Sequence, residues 1–168
     1  MNKVYIKQLE ELTEKRINNI LFDSYIDDWN RNTSVFDKRI INKEHLIIII
    51  EDSKGNKFGG YVNSKIDKVD KWISDSKSFL FSLESKGRMK RMMKFDINQP
   101  QRAFCLINQS HDCLFRFGND ICVYKANNKT YSYCQQFSFE YKGIENALCG
   151  KQYPNLFTPK RIIVIEMK

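Results

Sequence analysis

Residues 46–62 read LIIIIEDSKGNKFGGYV, and this stretch decides the fold. Its first five residues, 46–50, are one leucine and four isoleucines, and the β-branched side chains of the isoleucines favour a strand. Because no polar residue alternates with them, we expect both faces of this strand to be covered. Turn-forming residues follow at 52–56, and residues 58–62 are typical of a returning strand. The stretch therefore predicts a β-hairpin.

Two consecutive glycines, Gly59 and Gly60, stand inside the second strand of this hairpin. Glycine weakens an isolated strand, so we expect a bulge or a close backbone approach that a Cβ atom would block. A phosphate-binding loop is not indicated, because the further glycine and the lysine of such loops are missing.

Other secondary structure is predicted on both sides of the hairpin. One helix is expected over residues 4–22, and a second from Thr33 and Ser34 to residue 42 or 43. In the predicted strand at residues 131–141, Phe137, Phe139 and Tyr141 alternate with polar residues, which predicts three aromatic rings on one face. The further predicted strands cover residues 79–83, 103–107, 120–124, 131–141 and 161–167.

The order of these elements predicts the fold class. Helices do not alternate with strands, so a doubly wound parallel sheet is not expected. We predict a strand-rich α+β protein, a β-sandwich of two antiparallel sheets flanked by a few helices. Residues 1–20 are interpreted as an N-terminal helix, either for docking or as the end of a clipped coiled coil, and residues 21–168 as one domain.

Neither secretion nor membrane insertion is indicated. Residues 1–8 contain no continuous apolar stretch, and the longest apolar run, 46–50, is far shorter than the ~20 residues of a membrane-spanning helix. The five cysteines are odd in number and lack a C-x-x-C pair, which fits neither a disulfide framework nor a zinc site. We expect a cytoplasmic protein with reduced thiols at Cys105, Cys113, Cys122, Cys134 and Cys149.

No catalytic, metal or cofactor site is predicted. His111 lies in the segment Ser110-His111-Asp112-Cys113, but adjacent residues cannot generally adopt the geometry of a nucleophile, base and orienting acid. We expect a surface turn there, and His45 is interpreted as the residue that begins a strand. The separated cysteines offer no metal-ligand spacing.

A basic segment at residues 86–94, KGRMKRMMK, is the densest cluster of positive charge. One hypothesis is that it binds nucleic acid or an anionic membrane, and the alternative is a solvated loop whose methionines pack on the core. The net charge of +8 is attributed to codon bias toward lysine, asparagine and isoleucine. The cations of the segment are Lys86, Arg88, Lys90, Arg91 and Lys94.

Thiol chemistry gives a further hypothesis, a redox protein that uses one of its cysteines. Because Cys105, Cys122 and Cys134 stand in apolar strand contexts, buried and inert thiols are the favoured interpretation.

An ordered series of motifs resembles the TLDc domain family between about Leu21 and Met167. The segment FGGY followed some twenty residues later by FLFSL is the most specific part. The motifs are LFDS at 21–24, LIIIIE at 46–51, GNKFGGY at 55–61, FLFSL at 79–83, FGNDI at 117–121 and RIIVIE at 161–166. The residues assigned to the family pattern are Phe58, Gly59, Gly60, Tyr61, Phe79, Phe81, Gly118 and Asp120.

This resemblance implies a β-sandwich with flanking helices and no established catalytic residues. It also implies a link to oxidative-stress resistance and to binding and regulation of the vacuolar proton-pumping ATPase. Residues 114–117, LFRF, replace a glycine-rich stretch of the family, so contacts of that loop are expected to differ. We therefore expect a non-catalytic regulatory domain that docks on a larger assembly, with peripheral recruitment to a vacuolar or endosomal membrane.

Overall fold

Twelve strands and two short α-helices form the described part of the chain, residues 1–127, 131–150 and 155–168 of a computed structural model. The helices are α1 (Lys3–Thr13) and α2 (Phe36–Ile40), with a 3₁₀ turn at Pro100–Arg102. The strands are β1 (Ile17–Asp23), β2 (Leu46–Asp52), β3 (Lys57–Val62), β4 (Trp72–Ile73), β5 (Phe79–Glu84), β6 (Met93–Asp96), β7 (Phe104–Leu106), β8 (Cys113–Phe117), β9 (Ile121–Tyr124), β10 (Ser132–Cys134), β11 (Asn155–Phe157) and β12 (Pro159–Met167).

The strands form two sheets, each of six strands within the described residues. Sheet 1 has the order β1-β12-β2-β3-β5-β6, and sheet 2 has the order β11-β10-β9-β8-β7-β4. Neighbouring strands are antiparallel throughout both sheets. The predicted sandwich of two antiparallel sheets is confirmed.

The predicted hairpin is the pair β2–β3 at the centre of sheet 1, and β2 is buried on both faces as its composition predicts. Ile48 and Ile50 point into the core between the sheets. Ile47 and Ile49 point to the other face, where Leu9 of α1 covers them. The unbroken apolar run therefore reflects a strand that lies between a second sheet and a helix.

Gly59 and Gly60 allow two close approaches. A Cβ atom on Gly59 would lie 1.8 Å from the carbonyl oxygen of Ile48, on the paired strand. A Cβ atom on Gly60 would lie 2.6 Å from the ring of Phe117, which reaches across from sheet 2. The close backbone approach expected from the sequence is confirmed.

Phenylalanine rings fill much of the space between the sheets. Phe36 of α2 stacks on Phe115 at 5.3 Å, and Phe104 meets Phe117 edge to face at 5.0 Å. Offset stacked and edge-to-face arrangements are the favourable geometries for such pairs. Helix α2 therefore closes one side of the core with a ring that contacts sheet 2.

Two secondary-structure predictions are wrong in part. The first helix ends at Thr13, because Glu14 adopts a left-handed conformation with φ 55°, and residues 17–23 instead form β1 against β12. In the predicted strand at 131–141 only Ser132–Cys134 is a strand, and the ring of Phe137 is 60% exposed, so the three aromatics do not share one face. The suggested boundary between residues 20 and 21 falls inside β1, and the division into those two parts stays a prediction.

Replacing Gly59 with alanine tests the close approach in the central hairpin. We expect Gly59→Ala to lower the free energy of unfolding by about 3 kcal/mol or more, because the Cβ atom meets backbone that cannot move without separating β2 from β3. Gly60→Ala should cost less, since the neighbouring Phe117 and Leu80 side chains can shift. Urea unfolding measures both.

Lys54→Ala, in the exposed turn of the same hairpin, is the control and should change the free energy of unfolding by less than about 0.5 kcal/mol. A Gly59→Ala protein as stable as this control would contradict the interpretation.

Candidate functional site

Asp120 organises the turn between β8 and β9. Its buried carboxylate accepts hydrogen bonds from the backbone N–H of Ser138 at 2.7 Å and from the hydroxyl of Tyr141 at 2.6 Å. Burial raises the pKa of this carboxyl, although the hydrogen bonds oppose the shift. Gly118 has φ +51° and leaves no room for a Cβ atom, which would lie 2.7 Å from that of Ser138. Both family-pattern residues therefore fasten this turn to the segment that follows β10.

The other residues of the family pattern lie in two layers. Phe58 belongs to the core between the sheets, and Gly60 meets sheet 2 there. Tyr61, Phe79 and Phe81 lie on the outer face of sheet 1 with Leu9 of α1. All of these residues are buried, so the structure places them as framework and not in one accessible site.

The turn at residues 108–113 contains His111. The imidazole Nδ1 accepts the backbone N–H of Cys113 at 2.9 Å, while the Ser110 hydroxyl donates to Asn108 at 2.7 Å. Nζ of the buried Lys125 donates hydrogen bonds to the carbonyl oxygens of Asn108, Gln109 and His111 and so stabilises the turn. The histidine, serine and cysteine are thus engaged with backbone and turn groups, as a surface turn requires.

The other histidine, His45, directly precedes β2 as predicted. Its Nδ1 atom lies 3.4 Å from the hydroxyl of Tyr61. Burial raises the pKa of that tyrosine to about 12.

Arg88 of the basic segment, although exposed, makes hydrogen bonds to other parts of the fold. Its guanidinium donates to the side-chain oxygen of Asn56 at 2.8 Å and to the carbonyl oxygens of Asn146 and Leu148 at 3.1 and 2.9 Å. The amide of Asn56 in turn donates to the buried carboxylate of Asp52 at 2.8 Å. Asp52, Asn56 and Arg88 therefore join the hairpin turn to two other loops.

Lys94 is also engaged, since its ammonium lies 3.1 Å from the carboxylate of Asp96 and 4.7 Å from the centre of the Phe79 ring. The remaining cations, Lys86, Lys90 and Arg91, are exposed and form no ion pair with any described side chain. The structure thus leaves three of the five predicted cations available to an anionic ligand.

The outer face of sheet 2 carries a feature that the sequence did not reveal. Directly opposed residues of antiparallel strands share a face, and the register aligns one residue from each strand. Neither α1, which lies on sheet 1, nor α2, which inserts into the core, covers this face. We call these residues the cross-strand row: Trp72, Cys105, Arg116, Cys122, Tyr133 and Leu156.

Exposure varies along the cross-strand row. Trp72, Arg116, Tyr133 and Leu156 are partly exposed, whereas the two cysteines between them are buried. The row is therefore a surface of aromatic, cationic and apolar groups over buried thiols.

The described residues contain neither a metal-ligand cluster nor a membrane-spanning helix. Within residues 1–127, 131–150 and 155–168, no group of three or more His, Cys, Asp or Glu residues is arranged to hold a metal ion. None of the helices there is long and apolar enough to span a bilayer.

Comparison with known proteins identifies the family. A family model for the TLDc domain matches residues 1–111. The chain belongs to the TLDc domain family. This family is associated with resistance to oxidative stress. A search of curated proteins gives no match to the chain.

The TLDc match covers a different span from the motifs seen in the sequence. It begins at residue 1 and so includes α1 and β1, and it ends within the turn that precedes β8. The motifs at 117–121 and 161–166 lie outside it. The structure nevertheless places both in the same sandwich, with β12 between β1 and β2.

The raised pKa of Asp120 predicts a pH dependence of stability. The folded protein holds the carboxyl proton more tightly than the unfolded chain, in which the pKa is about 3.9. This contribution to stability is complete below about pH 4 and is lost as the pH rises through the folded pKa. We expect the wild-type protein to lose stability relative to Asp120→Asn as the pH rises above about 4, measured by urea unfolding.

Asn119→Ala, an exposed neighbour in the same turn, controls for other titrating groups and should stay parallel to the wild type. A constant difference between wild type and Asp120→Asn over this range would refute the expected shift.

The basic segment predicts a limit on salt dependence. If it binds duplex DNA, three available cations give a slope of log K against log salt no steeper than about −2.7. Arg91→Gln should reduce the slope by about one, and Lys3→Gln, in α1, should not change it. Fluorescence titration with a labelled duplex measures this. A slope of about −4.5 would mean that Arg88 and Lys94 also bind the DNA, which contradicts their engagement within the protein. If no binding is measured, the hypothesis is excluded.

Proposed function

We propose that this TLDc domain is a non-catalytic regulatory module that binds a larger protein assembly, and that this assembly is the vacuolar proton-pumping ATPase. Membership of the family, with the motif resemblance described above, supports the choice of partner. The burial of every residue of the family pattern supports a role for those residues in the framework and not in chemistry. The domain then works in the cytoplasm and is recruited to vacuolar or endosomal membranes by the pump.

The observation that most directly supports a docking role is the cross-strand row. Binding energy at protein interfaces is concentrated in tryptophan, tyrosine and arginine, and this row has one of each, partly exposed on alternate strands of the sheet. The opposite outer face, on sheet 1, is occupied by α1. The outer face of sheet 2 is therefore the surface that we assign to the partner.

Affinity purification of the tagged full chain from a lysate tests this proposal. We expect the wild-type chain to recover pump subunits and Trp72→Ala to recover at least about tenfold less, because truncating a tryptophan that is a hot spot of an interface costs about 2 kcal/mol or more. Circular dichroism and thermal unfolding should show that the variant is folded. Quantitative mass spectrometry of the recovered proteins provides the measurement.

The matched control is Ile26→Ala, since Ile26 is 85% exposed and follows β1 of the other sheet. This variant should recover as much pump as the wild type. Recovery without pump subunits, while other pump-associated proteins remain bound to the pump, would overturn the choice of partner. Equal recovery by Trp72→Ala and Ile26→Ala would overturn the choice of surface.

A further inference from the structure

Two buried thiols, one of them in the cross-strand row, face each other on the outer face of sheet 2. The Sγ atoms of Cys113 and Cys122 are 3.5 Å apart. These residues lie on the adjacent strands β8 and β9 of one hairpin, and a disulfide bond would bring the sulfurs to about 2.05 Å. Because Cys113 pairs with Tyr124 and Cys122 with Arg116, the two cysteines are diagonal neighbours, and a local adjustment of the strands brings the sulfurs together by the remaining distance of roughly 1.5 Å.

The position of this pair in the sandwich separates it from two of the other thiols. Cys134 and Cys149 belong to the apolar core between the sheets, whereas Cys113 and Cys122 belong to neither core cluster. Around Cys122 on its own face lie the partly exposed side chains of Arg116 and Tyr133, directly opposite on the flanking strands. The pair is thus one side chain below an outer surface, so a molecule as small as hydrogen peroxide reaches it through side-chain motion.

The surroundings favour a thiolate at one sulfur. The hydrogen bond with Cys113 and the guanidinium of Arg116 lower the pKa of Cys122 to about 7, although burial opposes the shift. The hydrogen bond with Cys122 and burial raise the pKa of Cys113. Nε of Arg116 is buried and lacks a hydrogen-bond partner among the described residues. One sulfur is suited to attack, and its neighbour remains protonated until the second step.

We propose that Cys113 and Cys122 are a peroxide-reactive pair that closes into a reversible intramolecular disulfide. In the first step the Cys122 thiolate attacks hydrogen peroxide, an S–O bond forms, the O–O bond breaks and hydroxide leaves, which yields a sulfenic acid. In the second step the Cys113 sulfur attacks Cys122, the S–S bond forms, the S–O bond breaks, and the departing hydroxide takes the thiol proton as water. Overall, two thiols lose two electrons and one peroxide is reduced to two waters.

This inference is independent of the proposed docking partner, because it concerns the isolated chain. It also differs from the expectation of inert thiols, since burial on a sheet's outer face does not isolate a sulfur as burial between two sheets does. Formation of the disulfide would link the start of β8 covalently to β9, next to Arg116.

Mapping the disulfide in the wild-type chain tests the pairing without any substitution. The reduced protein is treated with hydrogen peroxide, quenched with an alkylating reagent in denaturant and digested with trypsin. Cleavage after Arg116 separates Cys113, in the peptide 103–116, from Cys122, in the peptide 117–125. We expect these two peptides to be linked through Cys113 and Cys122, with Cys105 alkylated, and dithiothreitol to release them.

Single variants test the order of the steps. In Cys113→Ser the sulfenic acid at Cys122 has no resolving thiol, so dimedone should label Cys122, whereas Cys122→Ser should give neither label nor link. Arg116→Gln should slow closure roughly tenfold at neutral pH, because a smaller fraction of Cys122 is then thiolate. Cys105→Ser is the matched control, a buried thiol on the same face opposite Arg116, and should close at the wild-type rate.

Three results would overturn the proposal. Both thiols of the folded wild-type chain could stay fully alkylatable after excess peroxide, the link could join Cys105 or another chain instead, or Cys113→Ser could place dimedone on a different cysteine. Circular dichroism of each variant before oxidation shows whether it is folded, and the wild-type mapping decides the pairing if a variant is not.

Discussion

The structure depends on the burial of β2 on both faces at once. Its alternate isoleucines must be covered by sheet 2 on one side and by α1 on the other. Burying an aliphatic side chain fully contributes about 1.5–3 kcal/mol, so a strand with five such residues gains too much from coverage to lie at an edge. The neighbouring strand β3 has to approach closely for this to work, and Gly59 permits that approach beside the carbonyl of Ile48. The sandwich and the position of α1 both follow from this constraint.

Buried carboxylates stabilise loops that are not part of either sheet. Asp120 accepts hydrogen bonds from the segment after β10, and Asp52 anchors the chain of contacts through Asn56 to Arg88. A buried carboxylate is costly unless several donors meet it, so each of these groups holds its donors in place. Arg88 shows the consequence: a residue in an apparently basic surface segment is a structural bridge between loops.

The sequence predicts a strand best where one apolar run covers most of the strand's length. β2, β3, β5 and β12 have long apolar runs, and they were predicted almost to their ends. The strands β4 and β11 are two and three residues long, too short for periodicity to detect. The strand β1 lies almost entirely in residues 4–22, which have a helix-like pattern although the helix itself ends at Thr13. The segment after Cys134 alternates like a strand, but its backbone N–H groups are taken by Asp120, a contact that spans 18 residues. The cross-strand row could not be predicted either, because its members are far apart in the sequence and only the register of six strands brings them together.

The buried residues of the family pattern and the partly exposed residues on the outer face of sheet 2 are different sets. The residues of the family pattern are buried and specify the framework, so membership of the TLDc family accounts for the fold more directly than for any surface. The cross-strand row begins within the matched residues at Trp72 and Cys105, but Arg116, Cys122, Tyr133 and Leu156 lie beyond them. Residues 114–117, where this chain departs from the glycine-rich pattern, supply that arginine directly beside the paired thiols. In this chain those residues belong to β8, whose outward side chain Arg116 is a cation on the sheet face that neither described helix covers.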